Sequence, residues 1–312
     1  MFGLLTGYRF SSFRIGSFML VKEQGKLRFK RMSLAGTGGQ CLLCPPELQG
    51  GKIPYILYNL GGSLMNLIFS LLCVLLYLLW RGVPYLAPLL LLSVAIGTTL
   101  ALTNGIPMRV GMIDNDGRNA LSMGKDAESL RAFWVQMKIN EQTASGLRLR
   151  DMPEEWFAMP TERGMQNGIG SALAVFRCNR LMDEQRFDEA DALMAEILDG
   201  ENAVLGLYKN MLRCDRIYCE LIGENRAEVL NGLLTREQKK FMKAMKRFPS
   251  VLRTQYAYAL LAERNEKNAG KYKALFEKTA RRHPYQAEIE SERELVEIAE
   301  KKAEKMPLAT GS

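Results

Sequence analysis

Hydrophobic residues are concentrated in one stretch of the chain, between positions 53 and 103. From Ile53 to Trp80 the sequence contains no charged residue, and after the segment 81–84 a second uncharged run continues to Thr103. A helix needs about 20 consecutive apolar residues to cross a bilayer. The pattern therefore predicts two transmembrane helices, at about 54–80 and 85–103, joined by a very short turn.

The alternative interpretation is two core helices of a soluble protein. A globular core helix rarely stays uncharged over such a length, and Tyr77, Trp80 and Tyr85 stand where aromatic residues gather at a membrane interface. The run is also too long and too far from the start to be a cleaved signal peptide. The pattern favours membrane-spanning helices.

The segment before the first apolar run is typical of β-structure. Residues 13–21 are rich in β-branched and aromatic side chains, 22–26 contain a turn glycine, and 27–32 alternate apolar with basic residues. We predict a β-hairpin at 8–32. The Gly- and Pro-rich residues 35–51 predict a loop or irregular structure.

The remainder of the chain has the periodicity of helices. We predict an amphipathic helix over Asp126–Ile139, a proline-bounded linker at 152–160, and helix–turn–helix pairs within 177–200 and 256–285, with a charged helix continuing to Lys305. These pairs resemble tetratricopeptide-like repeats with an incomplete consensus. Two interpretations stay open, a concave surface that binds a protein partner and a generic helical bundle.

The predicted fold class is therefore mainly α. Residues 1–150 form a polytopic membrane core, in which the β-hairpin precedes the two transmembrane helices. Residues 151–312 form a soluble, cytoplasmic, tetratricopeptide-like helical domain.

Charge orients the predicted helices. The chain has 42 Lys+Arg against 34 Asp+Glu, a net charge of +8, and most of the basic residues near the apolar runs precede the first or follow the second, whereas the turn offers Arg81 alone. Lys and Arg are retained on the cytoplasmic side. We predict a multi-pass protein of the cell inner membrane with both flanks cytoplasmic and the bilayer as a partner. No basic stripe interleaved with aromatic residues is present, so no nucleic-acid partner is expected.

The six cysteines of a chain this long do not form a disulfide framework, and free thiols in a reducing interior are the default. Cys41 and Cys44 form one C-x-x-C, but no second pair has matching spacing. A structural zinc needs four ligands. Unpaired loop thiols are therefore the preferred interpretation over a zinc site.

Histidine is the scarcest candidate ligand, because the chain contains only His283. One histidine excludes a two-histidine metal site within these residues, and we expect His283 to interact with the C-terminus of a helix. Asn59 and Asn66 lie within the first apolar run, where polar groups are costly and serve either helix packing or function. Residues 114–117, DNDG, are typical of a turn or a helix N-cap, and less often of a metal ligand.

Two segments together resemble a known family. GGSLMNLIFSLL, with Gly62 and Asn66, is similar to the G-x-x-x-N segment of the site-2 protease family of intramembrane zinc metalloproteases. LLLLSVAIGTTLALTNGIPMRVGMIDNDG is similar to its second signature, a membrane helix ending in N-x-x-P before an aspartate motif. The hairpin and Pro45–Pro46 fit a bacterial branch, and the resemblance covers roughly residues 1–120.

This resemblance implies a zinc cofactor, a membrane protein substrate and two site residues. In the family, the histidines of an H-E-x-x-H helix bind zinc and its glutamate activates water. Asp116 matches the third metal ligand. Asn66 matches the family's catalytic asparagine, which helps to hold the substrate carbonyl.

The sequence departs from the family at one decisive point, because it contains no H-E-x-x-H. FGLLTGYRF resembles the family's segment immediately after that motif, so we expect an N-terminally incomplete intramembrane zinc metalloprotease, whose complete form would hydrolyse peptide bonds of membrane-embedded substrates. The competing hypothesis is a pseudoprotease that has lost its first helix. The alternative function is a non-enzymatic, membrane-anchored helical-repeat adaptor. In either case we expect no tight zinc binding and no proteolysis by these 312 residues alone.

Overall fold

The chain begins with a short helix and a four-stranded antiparallel sheet. The structure, a computed structural model, describes residues 1–23, 25–31, 39–110 and 113–306. Helix α1 (Phe2–Leu5) precedes strands β1 (Arg9–Ile15), β2 (Phe18–Glu23), β3 (Lys26–Arg31) and β4 (Gly39–Cys44). Their order in the sheet is β3-β2-β1-β4.

The sheet corrects two predictions made from the sequence. Residues 13–21 are not one strand of a hairpin, because Gly16, with φ of +56°, turns the chain between β1 and β2. The predicted loop at 35–51 is wrong for Gly39–Cys44, which pairs along β1 from Ile15 to Arg9 as a fourth strand. Main-chain pairing with a formed strand outweighs a composition poor in strand-forming residues. Residues 24 and 32–38 of these predictions lie outside the described residues.

The two apolar runs form an antiparallel helix pair, α2 (Ile56–Trp80) and α3 (Leu86–Gly105). Both are long and apolar enough to cross a membrane, and only 17% of the most apolar stretch of each is buried. The exposed surface of the pair is made of large apolar side chains, among them Leu67, Ile68, Leu71, Leu75, Leu91, Leu92 and Ile96. Helices at the positions predicted from the sequence are therefore present, and neither is a core helix of this chain.

Small and polar residues fill the contact between α2 and α3. On α2 the buried side chains are those of Asn59, Ser63, Ser70 and Cys73, which recur on one face. On α3 the buried residues are Leu90, Gly97 and Ala101. The inside of this pair is thus polar and small and the outside is apolar, the reverse of a soluble helix pair.

Beyond α3 the chain turns back onto the end of the helix pair. Strands β5 (Arg109–Val110) and β6 (Ile113–Asp114) form a two-residue ladder before α4 (Asp116–Ser122) and α5 (Ala127–Ser145). The predicted helix over 126–139 is confirmed, with Asp126 as its N-cap, and it continues to Ser145. The residues that follow α3 therefore lie at the end of the helix pair opposite to the turn at 81–85.

The remainder of the described chain is helical, which makes 68% of the structure helix. The helices are α6 (Glu162–Met165), α7 (Gly168–Asp183), α8 (Phe187–Asp199), α9 (Gly206–Ile222), α10 (Ala227–Leu233), α11 (Arg236–Ala244), α12 (Pro249–Ala257), α13 (Glu266–Ala280) and α14 (Gln286–Lys305). The predicted helix pairs and the charged helix to Lys305 are confirmed. Their tetratricopeptide-like character stays a prediction.

Buried apolar side chains form two cores. One joins Tyr8, Ile53, Val135 and Phe157, and the other fills the space among α7 to α14. The proline-bounded residues 152–160 belong to the first core, so they are packed and not a free linker. The division of the chain at residue 150 stays a prediction.

Replacing Gly97 by leucine should separate α2 from α3. A side chain there would meet Ser70 and the main-chain oxygen of Asn66, whereas one at Gly62 on α2 would meet nothing within 4 Å. Overpacking of this kind costs typically about 1–3 kcal/mol. We expect Gly97→Leu to lower the melting temperature of the purified chain in detergent and Gly62→Leu to leave it nearly unchanged. Equal melting temperatures for the two variants would contradict this packing.

Candidate functional site

The two residues singled out by the sequence lie at different depths of the helix pair. Asn66 is in the interior of α2, half-buried on the face that packs against Gly97. Asp116 is the first residue of α4, which packs beside Gly105 at the end of α3. No hydrogen bond joins Asn66 and Asp116 within the part of the chain that the structure describes. The structure therefore brings both residues to one helix pair without bringing them into contact.

Asn115, which the sequence marks as part of a turn or a helix N-cap, makes four side-chain hydrogen bonds. Its side-chain oxygen accepts hydrogen bonds from the main-chain N–H groups of Met108 (2.9 Å) and Arg118 (3.0 Å). Its amide nitrogen donates to the carbonyl oxygens of Thr103 (2.8 Å) and Ile106 (2.6 Å). The N-cap predicted for DNDG is thus confirmed, and the same side chain also binds the C-terminal end of α3.

Asp114 and Asp116 have different electrostatic surroundings. The Asp114 carboxylate lies 2.8 Å from Nε of Arg109 and 3.0 Å from Nε of Arg118. Asp116 has no ion pair or hydrogen bond among the described residues, and burial raises its pKa. One carboxylate is neutralised by its neighbours, and the other is partly buried without compensation.

Aromatic side chains enclose the region next to Asp116. The ring of Tyr58 stacks on Tyr8 with 4.9 Å between the ring centres, and its edge meets Phe133 at 5.5 Å. Tyr58 lies in the neighbourhood of Asp116. The carboxylate therefore lies between polar main chain at the end of α3 and an aromatic wall.

The residues present do not make a zinc site. Three protein ligands and an open position are typical of catalytic zinc. Within the described ranges no group of three or more His, Cys, Asp or Glu side chains could hold a metal ion. Asp116 is a single carboxylate, so we derive no metal-dependent step from this geometry.

The remaining candidate ligands lie elsewhere. Cys41 and Cys44 are free thiols, as predicted, although they lie on β4 and not in a loop, Cys41 exposed and Cys44 buried. The His283 imidazole is buried, which lowers its pKa, and it contacts the N–H group of Tyr285 and the Glu288 carboxylate. The expected contact of the His283 ring with the last carbonyl groups of a helix is therefore not the one observed.

No protein-family model, no curated protein and no solved structure matches this chain. The resemblance to site-2 proteases thus rests on the two sequence segments and stays a prediction.

Replacing Asn115 by alanine should loosen α4 from the end of α3. The variant loses four hydrogen bonds, two of which bind the end of α3 at Thr103 and Ile106, and the N-cap alone contributes about 1 kcal/mol. We expect a lower melting temperature and faster proteolysis near residues 106–116. Asn119→Ala is the matched control, because the Asn119 amide makes a single 3.5 Å hydrogen bond to Asp114. If both variants behave alike, Asn115 does not have this role.

Proposed function

We propose that this chain is a membrane-embedded protein related to the site-2 proteases, and that Asp116 is a metal-binding carboxylate of the complete protein. The observation that carries the proposal is the contrast between Asp114 and Asp116. The first is held by two arginines, whereas the second is partly buried without a partner at the end of an apolar helix. An uncompensated buried carboxylate lowers stability, and such residues are found where a function requires them.

The exposed apolar surface of α2 and α3 supports insertion into a bilayer. A soluble monomer rarely exposes an apolar patch larger than a few hundred Å². The turn between the helices carries Trp80 and Tyr85, 47% and 89% exposed, as expected of aromatic residues at a membrane interface. Ile15, Phe18 and Phe29 form a second exposed apolar surface on the sheet. These surfaces would be covered by lipid.

The arrangement of the chain also supports the proposed topology. α4 packs on α2 at the end where α3 finishes, and α1 packs on α2 near its start. The sheet and the helical region thus lie at one end of the helix pair, and Arg81 lies at the other. With more positive charge at the folded end, both termini would be cytoplasmic.

The proposed activity needs histidines that these 312 residues do not contain, since His283 lies far along the chain in the helical region. The complete protein would hydrolyse peptide bonds of membrane-embedded substrates, with zinc as cofactor and Asn66 near the substrate carbonyl. The chain alone is expected to be inactive.

A second candidate function is a membrane-anchored adaptor. It is favoured by the lack of a three-ligand metal group in the described ranges and by a cavity among the helices of the C-terminal half. In that case the helical region would bind a protein partner and α2 and α3 would serve as the anchor.

Labelling of single cysteines tests the topology. Gly82 lies in the turn and has nothing within 4 Å of an added Cβ, so Gly82→Cys should not disturb the fold. A membrane-impermeant maleimide should label Gly82→Cys in intact spheroplasts and label the exposed Cys41 only after lysis. Labelling of Cys41 in intact cells would reverse the topology, and extraction of the chain by carbonate would exclude membrane insertion.

Replacing Asp116 by asparagine tests the metal-ligand proposal. Because burial raises the folded pKa above the unfolded value, the charged carboxylate costs stability above that folded pKa. Asp116→Asn should therefore melt at a slightly higher temperature than the unmodified chain at pH 7, and the difference should vanish as the pH falls toward about 4.

The effect of the same substitution on zinc binding can also be measured. A chain extended before Met1 by an apolar helix carrying H-E-x-x-H should bind about one zinc ion, measured by elemental analysis. Asp116→Asn should reduce that zinc content and Asp114→Asn should retain it. Zinc binding that does not depend on Asp116 would refute the ligand assignment in favour of the adaptor.

A further inference from the structure

A cavity of about 420 Å³ lies where α5, α7, α9, α12 and α14 meet. Its volume is in the range of ligand sites, roughly 300–1,000 Å³. Gln40 of β4 also lines it, so its wall includes both the sheet and the helical region. Lys30 of β3 donates a 2.9 Å hydrogen bond to the carbonyl oxygen of Pro284, just before α14. The cavity is thus located at the junction of the two halves of the chain.

One part of the cavity wall is apolar and partly exposed. It is formed by Phe176, Leu207, Tyr208 and Phe248, of which Leu207 and Tyr208 are 40% and 39% exposed. Amide side chains also line the cavity. Asn140 on α5 and Asn179 on α7 have no hydrogen-bond partner among the described residues. An amide side chain carries both a carbonyl acceptor and an NH₂ donor, so it can bind the N–H and C=O groups of an extended peptide.

Two carboxylates, Glu288 and Glu292, line the cavity one turn apart on α14. Oε2 of Glu292 is fully enclosed without a hydrogen bond, and its nearest cationic atom is Nε of Arg253 at 3.4 Å. Among the described residues, the one ion-pair contact of Glu288 is to Nε2 of His283, at 3.6 Å. Since burial lowers the pKa of His283, its ring is uncharged at neutral pH and does not neutralise Glu288.

The arginines around the cavity are already committed to other partners. Arg253, whose side chain is 1% exposed, pairs with Asp215 and lies over the ring of Tyr218 at 4.4 Å. Nε of Arg253 makes no hydrogen bond, although it is buried and lines the cavity. Arg148 pairs with Asp183. The cavity therefore has more carboxylates than arginines, and the Nε of Arg253 already lies 3.4 Å from Glu292.

Burial raises the pKa of both glutamates to about 7. Glu288 is 47% exposed and Glu292 is 17% exposed, so Glu292 is the more enclosed of the two. Two carboxylates held in this way are stabilised when a cation reaches them. Glu292 has the Nε of Arg253 at 3.4 Å, whereas no Lys or Arg of the described residues forms an ion pair with Glu288.

We propose that the cavity binds an extended segment of a partner protein through one arginine or lysine side chain flanked by apolar residues. The basic group pairs with Glu288 and Glu292, and Asn140 and Asn179 hydrogen-bond to the main chain of the segment. Its apolar residues pack on the wall around Tyr208. A small cation would leave the amides and the apolar wall without partners. The inference rests on the proposed partner-binding role of the helical region and is independent of the metal-ligand assignment.

The pH dependence of binding follows from the groups around the pair. On α12, α9 and α7 the charged groups are Arg253, Asp215 and Asp183, which are paired within the protein, and α5 contributes only uncharged side chains. In the loop before α14, the pKa of His283 is lowered and that of Tyr285 is raised, and the charges of Lys30 on β3 and Arg14 on β1 act on these two residues. The groups that change charge near pH 7 are therefore the two glutamates. Because they become negative as the pH rises from 6 to 8, the affinity for a cationic segment should increase over that range.

The test uses the full chain in detergent and the fluorescein-labelled peptide GSLFRLSG, with binding followed by fluorescence anisotropy. We expect saturable binding that weakens about 10-fold, as for a lost charge pair, when citrulline replaces the arginine. Glu288→Gln should weaken binding by a similar factor, and the double variant with Glu292→Gln should abolish the pH dependence. Glu290→Gln is the matched control, because Glu290 lies on the same helix but outside the cavity.

Several outcomes would overturn the proposal. They are no binding of the peptide, equal binding of the citrulline peptide, and an equal loss of affinity in Glu290→Gln. Displacement of the peptide by an equal concentration of spermidine would replace a peptide site with a site for small cations. Glu288→Gln removes no charged ion pair, so its melting temperature should not fall below that of the unmodified chain and its affinity should report the site. None of these results depends on zinc.

Discussion

The close approach of α2 and α3 is the contact on which the N-terminal half depends. Two helices approach closely only where side chains are small, and here Gly97 and Gly105 face Ser70 and Ser63. The small and polar residues of α2 and α3 lie in this contact, and most of their leucine side chains lie on the exposed surface of the pair. It also sets the direction in which α3 ends, and so the position of everything attached to that end.

The three residues Asp114, Asn115 and Asp116 show how adjacent polar residues acquire different roles from that position. Asp114 is neutralised by arginines, and Asn115 joins the two helices through main-chain groups. Asp116 follows directly, yet within the described residues it forms no ion pair with either arginine. The differences come from geometry, because the side chains of Asp114 and Asp116 are chemically identical.

The two halves of the chain meet through the apolar core that joins Tyr8, Ile53 and Val135 to Phe157 and also through polar contacts. The Lys30 ammonium group binds the carbonyl oxygen of Pro284, and α14 packs on α5. Buried charge is concentrated near this junction, where Arg148 joins Asp183 to Glu294. Such networks constrain relative orientation more than they stabilise, since desolvation offsets most of the attraction. The cavity at the junction is therefore bordered by elements of both halves.

The sequence by itself determined the features that depend on local patterns. The two apolar helices, the helix that begins at Asp126 and the helix pairs of the C-terminal half are visible as periodicity and length, because side-chain burial repeats along a helix. The N-cap at Asn115 is likewise a local signal.

Only the tertiary structure decided the features that depend on distant residues. Strand β4 exists because β1 offers it a partner, and composition predicted a loop there. Asn115 forms hydrogen bonds with the end of α3, and Asp116 has no partner among the described residues. Glu288, Glu292 and Asn140 come from distant parts of the chain and line one cavity. A sequence pattern records which side chains are present, but the distances and solvent exposure that determine their chemistry are set when the helices pack.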